Sequence, residues 1–509
     1  MSYLKKFQNK LFFIFNWVVN MCGIVGIMGP NISKKLYGML YSIKHRGPDI
    51  SGVFVNNEVT YDNLENLKIS DGHFGLGQNL LSIVGCEGSQ PLIHDNLVLV
   101  CNGEIYNYRE LKNQLNNDFK SDSDCEIIIK LIKQFNEGSL NEAVEKAVQY
   151  LDGDYAFAVY DGKNIAAIRD IVGVKPLYYG MDTGGEIIAF ASERKALWKI
   201  GINDVRTLNP NSMIYNGKLV KLKDSLYKKI GSRSLENEKL SKDELKMQLK
   251  KNLINSVEKR VRGIKEVGIL FSAGIDSTIL AKIVSDTGIK TTLYSVGHEN
   301  SIDIKFAKKT AQKMNIPLRI KTLDLEDVRK YLIPVLDAIE EFNIMKIGVG
   351  MPAFVASEMA HKDGLKVMFS GQGADELFGG YNRYLKFYQE KGELASEDLK
   401  EDILNLYHVN LQRDDAVTMA NSVELRVPYL DLDIINTAIN IPMKYKINGK
   451  DDNLRKCILR EVGAELGVPE EIVKRPKKAA QYGSGIHKML KKVLNEEKFK
   501  NLTEKYKID

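Results

Sequence analysis

The run "EVGILFSAGIDST", Glu266 to Thr278, passes from a buried apolar strand through small residues into the start of a helix. Ser272, Ala273, Gly274, Asp276 and Ser277 stand at the turn. Small residues let backbone N–H groups approach a phosphate closely, and a helix N-terminus adds positive potential. Asp276 suits that place only if a magnesium ion lies between it and the phosphate. No lysine follows in G-K-S/T form, so the common nucleotide P-loop is excluded.

Downstream the strand–helix alternation continues. "TTLYSVG" reads as a strand, "DIKFAKKTAQKM" as a helix with Phe306, Ala307, Ala311 and Met314 on one face, and "LKVMFSG" as a later strand. Such alternation predicts a Rossmann-like parallel sheet with ligands at the carboxyl ends of its strands, followed here by extra helices. "MFSGQGADELFGGY", Met368 to Tyr381, is a second glycine-rich loop after a second buried strand, and it carries Asp375 and Glu376. A structural turn needs neither two such clusters nor acidic residues in both. A bound nucleotide and its metal use both.

Upstream, "GSRSLENEKLSKDE" (231–244) is polar and charged and reads as a linker. From Cys22 to about residue 225, short apolar runs such as "NLVLVCNGE", "YAFAVYDG" and "IIAFASE" predict antiparallel sheets covered by two or three helices. One helix is written in "DCEIIIKLIKQF", where Ile127, Ile128, Leu131, Ile132 and Phe135 recur at helical spacing. The expected organisation is an extension (1–21), a first domain (22–230), the linker, a second domain (245–490) and a charged tail (491–509).

A length of 509 residues requires two or more domains. With 44% hydrophobic and 27% charged residues the chain is of the globular class. Its +6 net charge comes from 72 basic against 66 acidic residues with no basic block, so no nucleic-acid partner is indicated. Five widely spaced cysteines without a C-x-x-C pair point to a reducing, cytoplasmic setting and away from a disulfide framework. The start has a basic residue pair and a nine-residue apolar run, Leu11 to Val19, that loosely mimics a secretory signal. That run is too short to span a bilayer, and no membrane partner is expected.

"SAGIDS", "SGQGADE", "RDDAVTMANSVELRVPYLD" and "KCILR" together resemble the glutamine-hydrolysing asparagine synthetases, from Met21 to about Gly485. "MCGIVGI", "HRGPD", "NGEIYN" and "SDCE", in that order, resemble a class II glutamine amidotransferase domain, which implies an Ntn-hydrolase-like αββα sandwich. The resemblance implies ATP as co-substrate with Mg²⁺, and small-molecule partners glutamine and aspartate, in a chain that forms a homodimer. The implied reaction adenylates aspartate and lets ammonia displace AMP. Asparagine, glutamate, AMP and pyrophosphate result; amidation of another carboxylate is the alternative.

By the same resemblance Ser272, Gly274, Asp276 and Ser277 form the pyrophosphate loop, and Leu270, Val296, Ser370 and Gly371 line the AMP site. Lys456 meets the pyrophosphate, Asp276 and Asp375 hold magnesium through it, and Arg413 and Arg426 are structural. Ala273 replaces the loop's first glycine, which costs little unless the backbone there needs a positive φ.

In the glutaminase half the resemblance makes Cys22 the nucleophile that forms a thioester. A terminal cysteine carries its own base, since an α-amine titrates near about 7.7–8.0. A peptide nitrogen has no such basicity, so Met21 and everything before it must be absent. A start at Met21, a removed propeptide and a retained signal-like segment are the three readings of the extension. Asn102 and the Gly103 N–H form the oxyanion hole, Glu104 and Asp124 bind the glutamine ammonium, and Leu80, Leu81, Ser82, Ile83 and Val84 line the pocket. "HRGPD" and Arg169–Asp170 hold the domain's shape, and Cys86, Cys101 and Cys125 are core thiols.

Two positions depart from the family's pattern. Leu80 stands where an arginine usually pairs with the glutamine carboxylate, which leaves Arg46 as a substitute cation. Gln372 stands where glutamate is common, so Glu376 or a phosphate oxygen takes the ammonia's proton, or the acceptor is not aspartate. A ring-closing synthetase usually lacks the nucleophilic cysteine. Other class II amidotransferases lack the "SxGxDS" half, and a non-catalytic glutamine sensor has no use for acidic residues in both loops.

Overall fold

The computed structural model describes residues 19–84, 89–115, 119–121, 123–223, 240–449, 451–476, 484–499, 502 and 506. The first half contributes β1 (Val19–Met28), β2 (Ile50–Val55), β3 (Glu58–Asp62), β4 (Phe74–Val84), β5 (Leu92–His94), β6 (Leu97–Ile105) and β7 (Gly153–Tyr160). It continues with β8 (Ile165–Arg169), β9 (Tyr178–Met181), β10 (Ile188–Ala191), β11 (Val205–Thr207), β12 (Ser212–Tyr215) and β13 (Lys218–Lys221). One sheet runs β11–β9–β10–β1–β4–β2–β3 and the other β13–β12–β8–β7–β6–β5. Every strand pair given a register in these two sheets is antiparallel.

The two sheets stack through Ile24, Phe54, Leu76, Val100, Ala156 and Phe190. Helices Ser33–Ser42 and Arg194–Trp198 cover the first sheet, and Glu126–Phe135 and Leu140–Ala147 cover the second. That is the αββα sandwich expected from the sequence. With Tyr108–Leu115, five α-helices are present among the described residues of the first half, not two or three. All nine residues of β6 are buried, because the sheet stack covers one face and helices the other. The strand therefore reads as an apolar run, Leu97 to Cys101, that passes into the equally buried Asn102, Gly103 and Glu104.

The second half holds a five-stranded sheet ordered β16–β15–β14–β17–β18, made of β14 (Glu266–Leu270), β15 (Lys290–Gly297), β16 (Leu318–Thr322), β17 (Val367–Phe369) and β18 (Glu424–Arg426). All four pairings are parallel, as the strand–helix alternation predicts. β14 and β17 are neighbours, so the two glycine-rich loops that follow them meet at the same end of the sheet. Among the described residues no helix is long and apolar enough to cross a membrane.

Three boundaries differ from expectation. Linker residues 231–239 lie outside the described residues, but 242–244 already form the first turn of the helix Lys242–Val261. Ser241 and Glu244 close a reciprocal capping box there, an S-x-x-E signal visible in "SKDE". Of the tail, residues 491–494 finish the helix Ile486–Leu494, while Leu502 and Tyr506 are buried in the second core. The Phe342 N–H donates to Tyr506 O at 3.0 Å. Residues 1–18 lie outside the described set, but Val19–Met21 prolong β1 beyond Cys22.

Lys446 is 2% exposed at the end of the helix Met443–Lys446. Burial pushes its ammonium down to about 7, with Glu393 opposing. The unfolded chain keeps this proton up to about 10.4, so from about pH 7 upward it binds more protons than the folded chain and stability rises with pH. Replacing Lys446 by Met should raise Tm at pH 7 and flatten that rise, which thermal melts from pH 7 to 9 would reveal.

Candidate active sites

A cavity of about 400 Å³ opens where the two glycine-rich loops meet. Leu270, Ser272, Asp276, Ser277, Val296, Ser370, Gly371, Gln372 and Asp375 all line it, so sequence reasoning gathered residues that fold together. A Cβ on Gly371 would stand 2.9 Å from the Asp276 Cβ, so only glycine lets the loops approach this closely. Gly274 caps the helix Ile275–Asp286, which carries Asp276 and Ser277 in its first turn.

Lys456 does not line the cavity but is fully buried beneath it. Its Nζ donates to both Asp276 oxygens, at 2.7 and 2.8 Å, and lies 2.6 Å from Asp375 Oδ1. One ammonium thus joins the two loops. Lys456 and its neighbour Arg455 both have φ of 54°, a left-handed conformation that non-glycine residues keep only where the surroundings impose it. Ala273 also has a positive φ, 51°. The loss of glycine there is therefore not cheap, since an L-residue pays roughly 1–2 kcal/mol in that region. Arg475, which the sequence reading missed, compensates by bracing the loop. Its Nη1 donates to Ser272 O at 3.1 Å and Ala273 O at 2.7 Å, while Nη2 pairs with Asp303.

In the first half, β1 and β4 pair in a register that sets Cys22 opposite Leu80. The same ladder joins Met21 to Leu81, Asn20 to Ser82 and Val19 to Val84. The Cys22 nitrogen is then a peptide nitrogen inside a strand. Burial, Cys101 and Asp124 push its thiol well up, with Arg46 and the Leu81 N–H opposing. A thiol in that state needs a base to become a nucleophile.

β6 presents Asn102 and Gly103 from the facing sheet. Asn102 is wholly buried, and neither its Nδ2 nor its Oδ1 has a hydrogen-bond partner. An orphaned buried amide is costly and calls for a ligand. Gly103 is the residue that lets β6 and β7 close, since a Cβ there would meet Asp154 O at 2.4 Å.

Glu104 and Asp124 are both buried, but each already has a protein partner. The Asp124 carboxylate accepts the Ile105 N–H at 2.6 Å, and Glu104 pairs with Arg426 of the second half. Burial pushes the Asp124 carboxyl up to about 6, with the Ile105 and Cys125 N–H groups opposing. Each carboxylate thus has one oxygen engaged by the protein. The side chains of Ile83 and Val84, and Cys86, lie outside the described residues.

Arg46 is no substitute for the missing arginine either. Its Nη1 donates to Glu193 Oε1 at 2.9 Å and Asp415 Oδ2 at 2.7 Å, and its Nη2 to Asp415 Oδ1 at 3.2 Å. The "HRGPD" loop, with Arg46 and Gly47 buried, instead docks the second half, where the Ser422 hydroxyl also donates to His45 O at 2.6 Å and the exposed Asp49 lies 3.3 Å from Lys366. The partners of this dock lie more than 300 residues apart in the chain, so no local pattern could announce them.

The glutamine amidotransferase domain family matches residues 21–240, and the asparagine synthase family matches residues 248–401 and 389–506. A Methanocaldococcus jannaschii protein, provisionally named asparagine synthetase (glutamine-hydrolyzing) 1, is 44% identical over 93% of this chain and 95% of its own. The root asparagine synthetase (glutamine-hydrolyzing) of Pisum sativum is 30% identical over 92% of this chain and 78% of its own. For asparagine synthetase (glutamine-hydrolyzing) 1 of Saccharomyces cerevisiae the identity is 28%, over 87% and 80%. Two half-chain matches in this order, joined by near full-length identity, leave one conclusion: the chain belongs to the glutamine-hydrolysing asparagine synthetase family.

Proposed function

We propose that this chain is a cytoplasmic enzyme that makes asparagine from aspartate, ATP and glutamine through two centres in one polypeptide. One observation carries the reading: a single buried residue, Arg426, touches both. Its guanidinium pairs with Glu104 beside the Cys22 pocket, and its carbonyl accepts the Ser370 N–H of the nucleotide loop at 3.0 Å.

In the first centre the Cys22 thiolate attacks the glutamine side-chain amide. The orphaned Asn102 amide and the Gly103 N–H meet the developing oxyanion, a contribution of about 10²–10³ in rate per donor. Water then releases glutamate from the thioester. Leu80, Leu81, Ser82, Ile83 and Val84 supply contacts to the amino acid, and the buried carboxyls of Glu104 and Asp124 meet its ammonium.

In the second centre ATP enters as its magnesium complex. Asp276 and Asp375 share the single ammonium of Lys456, which leaves the pair one negative charge in excess. That excess would suit a magnesium ion held through the pyrophosphate, and Lys456 is the fixed charge for the leaving group. Ser272, Gly274 and Ser277 bring donors to the phosphates. Leu270, Val296, Ser370 and Gly371 hold the AMP part.

Gln372 favours one second reading, a carboxylate other than aspartate, because it removes the anion usual at this turn. The test supplies ATP, ammonium and one acid at a time. Aspartate should give asparagine, AMP and pyrophosphate in equal amounts. Pyrophosphate release that ignores aspartate and answers to another acid would assign that acid instead.

A further inference from the structure

The asparagine-forming reading, on which this inference rests, leaves one proton without a destination. Ammonia that adds to an acyl-adenylate becomes a cationic adduct, and it must lose a proton or it is expelled again. Gln372 is a neutral amide and accepts none. Glu376 lies four residues on, in the short helix Ala374–Phe378, with only 3% of its surface exposed, and it lines the same cavity.

Its hydrogen bonds are one-sided. The Tyr381 hydroxyl donates to Oε1 at 2.9 Å, and Asn410 Nδ2 donates to the same oxygen at 3.0 Å. Oε2 is buried with no hydrogen-bond partner. A carboxylate kept only for packing would have both oxygens satisfied, since an unpartnered buried acceptor is costly. Asn410 sits in a π-helical turn, Tyr407–Leu411, a distortion that clusters at functional sites. Tyr381 and Asn410 are both neutral. They fix the carboxylate's direction without cancelling its charge.

We infer that Glu376 is the base of the amide-forming step, taking the role that Gln372 cannot fill. The ammonia lone pair forms the C–N bond to the adenylate carbonyl carbon, and the carbonyl π electrons move to oxygen. A proton passes from nitrogen to Glu376 Oε2. The carbonyl then re-forms, and the bond from its carbon to the phosphate oxygen breaks with its electron pair leaving on AMP. Glu376 gives the proton to water as the products depart.

Three variants test this: Glu376→Gln, Glu376→Asp, and Glu376→Gln combined with Gln372→Glu. Each is assayed for aspartate-dependent exchange of labelled pyrophosphate into ATP, and for asparagine formation from ammonium. Glu376→Gln should keep exchange within about threefold and lose about 10²-fold or more of asparagine formation. Glu376→Asp should fall between it and the parent, and Gln372→Glu should recover at least about tenfold. Asparagine formation by Glu376→Gln within threefold of the parent overturns the inference. So does a parallel loss of exchange, which places Glu376 before the ammonia step, and so does failure of Gln372→Glu to recover any rate. A parent enzyme that exchanges pyrophosphate with an acid other than aspartate defeats the functional reading instead, and the same variants then test the base on that acid.

Discussion

A chain that begins at Cys22 should hydrolyse glutamine, and the 509-residue chain should do so at least about 10²-fold more slowly. Two causes act together. An α-amine near pH 8 is a competent base for the thiol, whereas a peptide nitrogen is none, and a positioned base is worth about 10²–10⁴ in rate. The thiol needs that help, since burial pushes it well above its ordinary range. The second cause is steric. Val19, Asn20 and Met21 pair with Val84, Ser82 and Leu81, the stretch proposed to meet glutamine. A leader in that register occupies the edge that the substrate needs. Glutamate release by the two chains measures the effect, and asparagine formation from ammonium, which bypasses Cys22, should be equal in both. Equal glutaminase rates would show that Cys22 draws on some other base.

The parts of the molecule that were legible are those whose chemistry is local. A strand running into small residues and a helix start declared the nucleotide loop, because close backbone approach and a helix N-terminus are sequence-adjacent demands. Cys22, Asn102 and Gly103 lie in short motifs on two strands that the sheet stack brings together. Illegible features depend on distant partners. The pairing of Glu104 with Arg426, 322 residues away, has no local signal. Arg46 looked available until Asp415 claimed it. The positive φ at Ala273 could be posed as a condition but not decided, because Arg475 and the facing loop impose it from outside. The π turn that delivers Asn410 has no periodic signature of its own.

Removing the Arg426 side chain should be the most damaging single change at the junction of the halves. The residue is fully buried. It donates through Nη2 to Glu424 Oε2 at 3.1 Å, pairs with Glu104, and donates through Nη1 to Arg260 O. Burial works against Glu424, but Arg426 and Lys175 still hold its carboxyl below the ordinary range. Burial pushes Glu104 up while Arg426 pulls against it. Arg426→Ala leaves Lys175 as the only one of these two cations, and breaking a buried pair costs about 3–5 kcal/mol. Without Arg426 the Glu104 carboxyl rises further. The folded chain then holds a proton that the unfolded chain releases near its ordinary value, so stability falls as pH rises. The Tm deficit of Arg426→Ala should therefore widen as pH rises above about 8, where Glu104 ionises in the parent but not in the variant, and adding Glu104→Gln should narrow it there, because no carboxyl is left to ionise. Arg426→Lys keeps the charge without the planar fork that meets two carboxylates at once, so it should fold better than Arg426→Ala yet lose coupling. It should release more glutamate per asparagine while using ammonium normally. A Tm for Arg426→Ala equal to the parent's at every pH would mean that the junction is held elsewhere, at the Arg46–Asp415 dock.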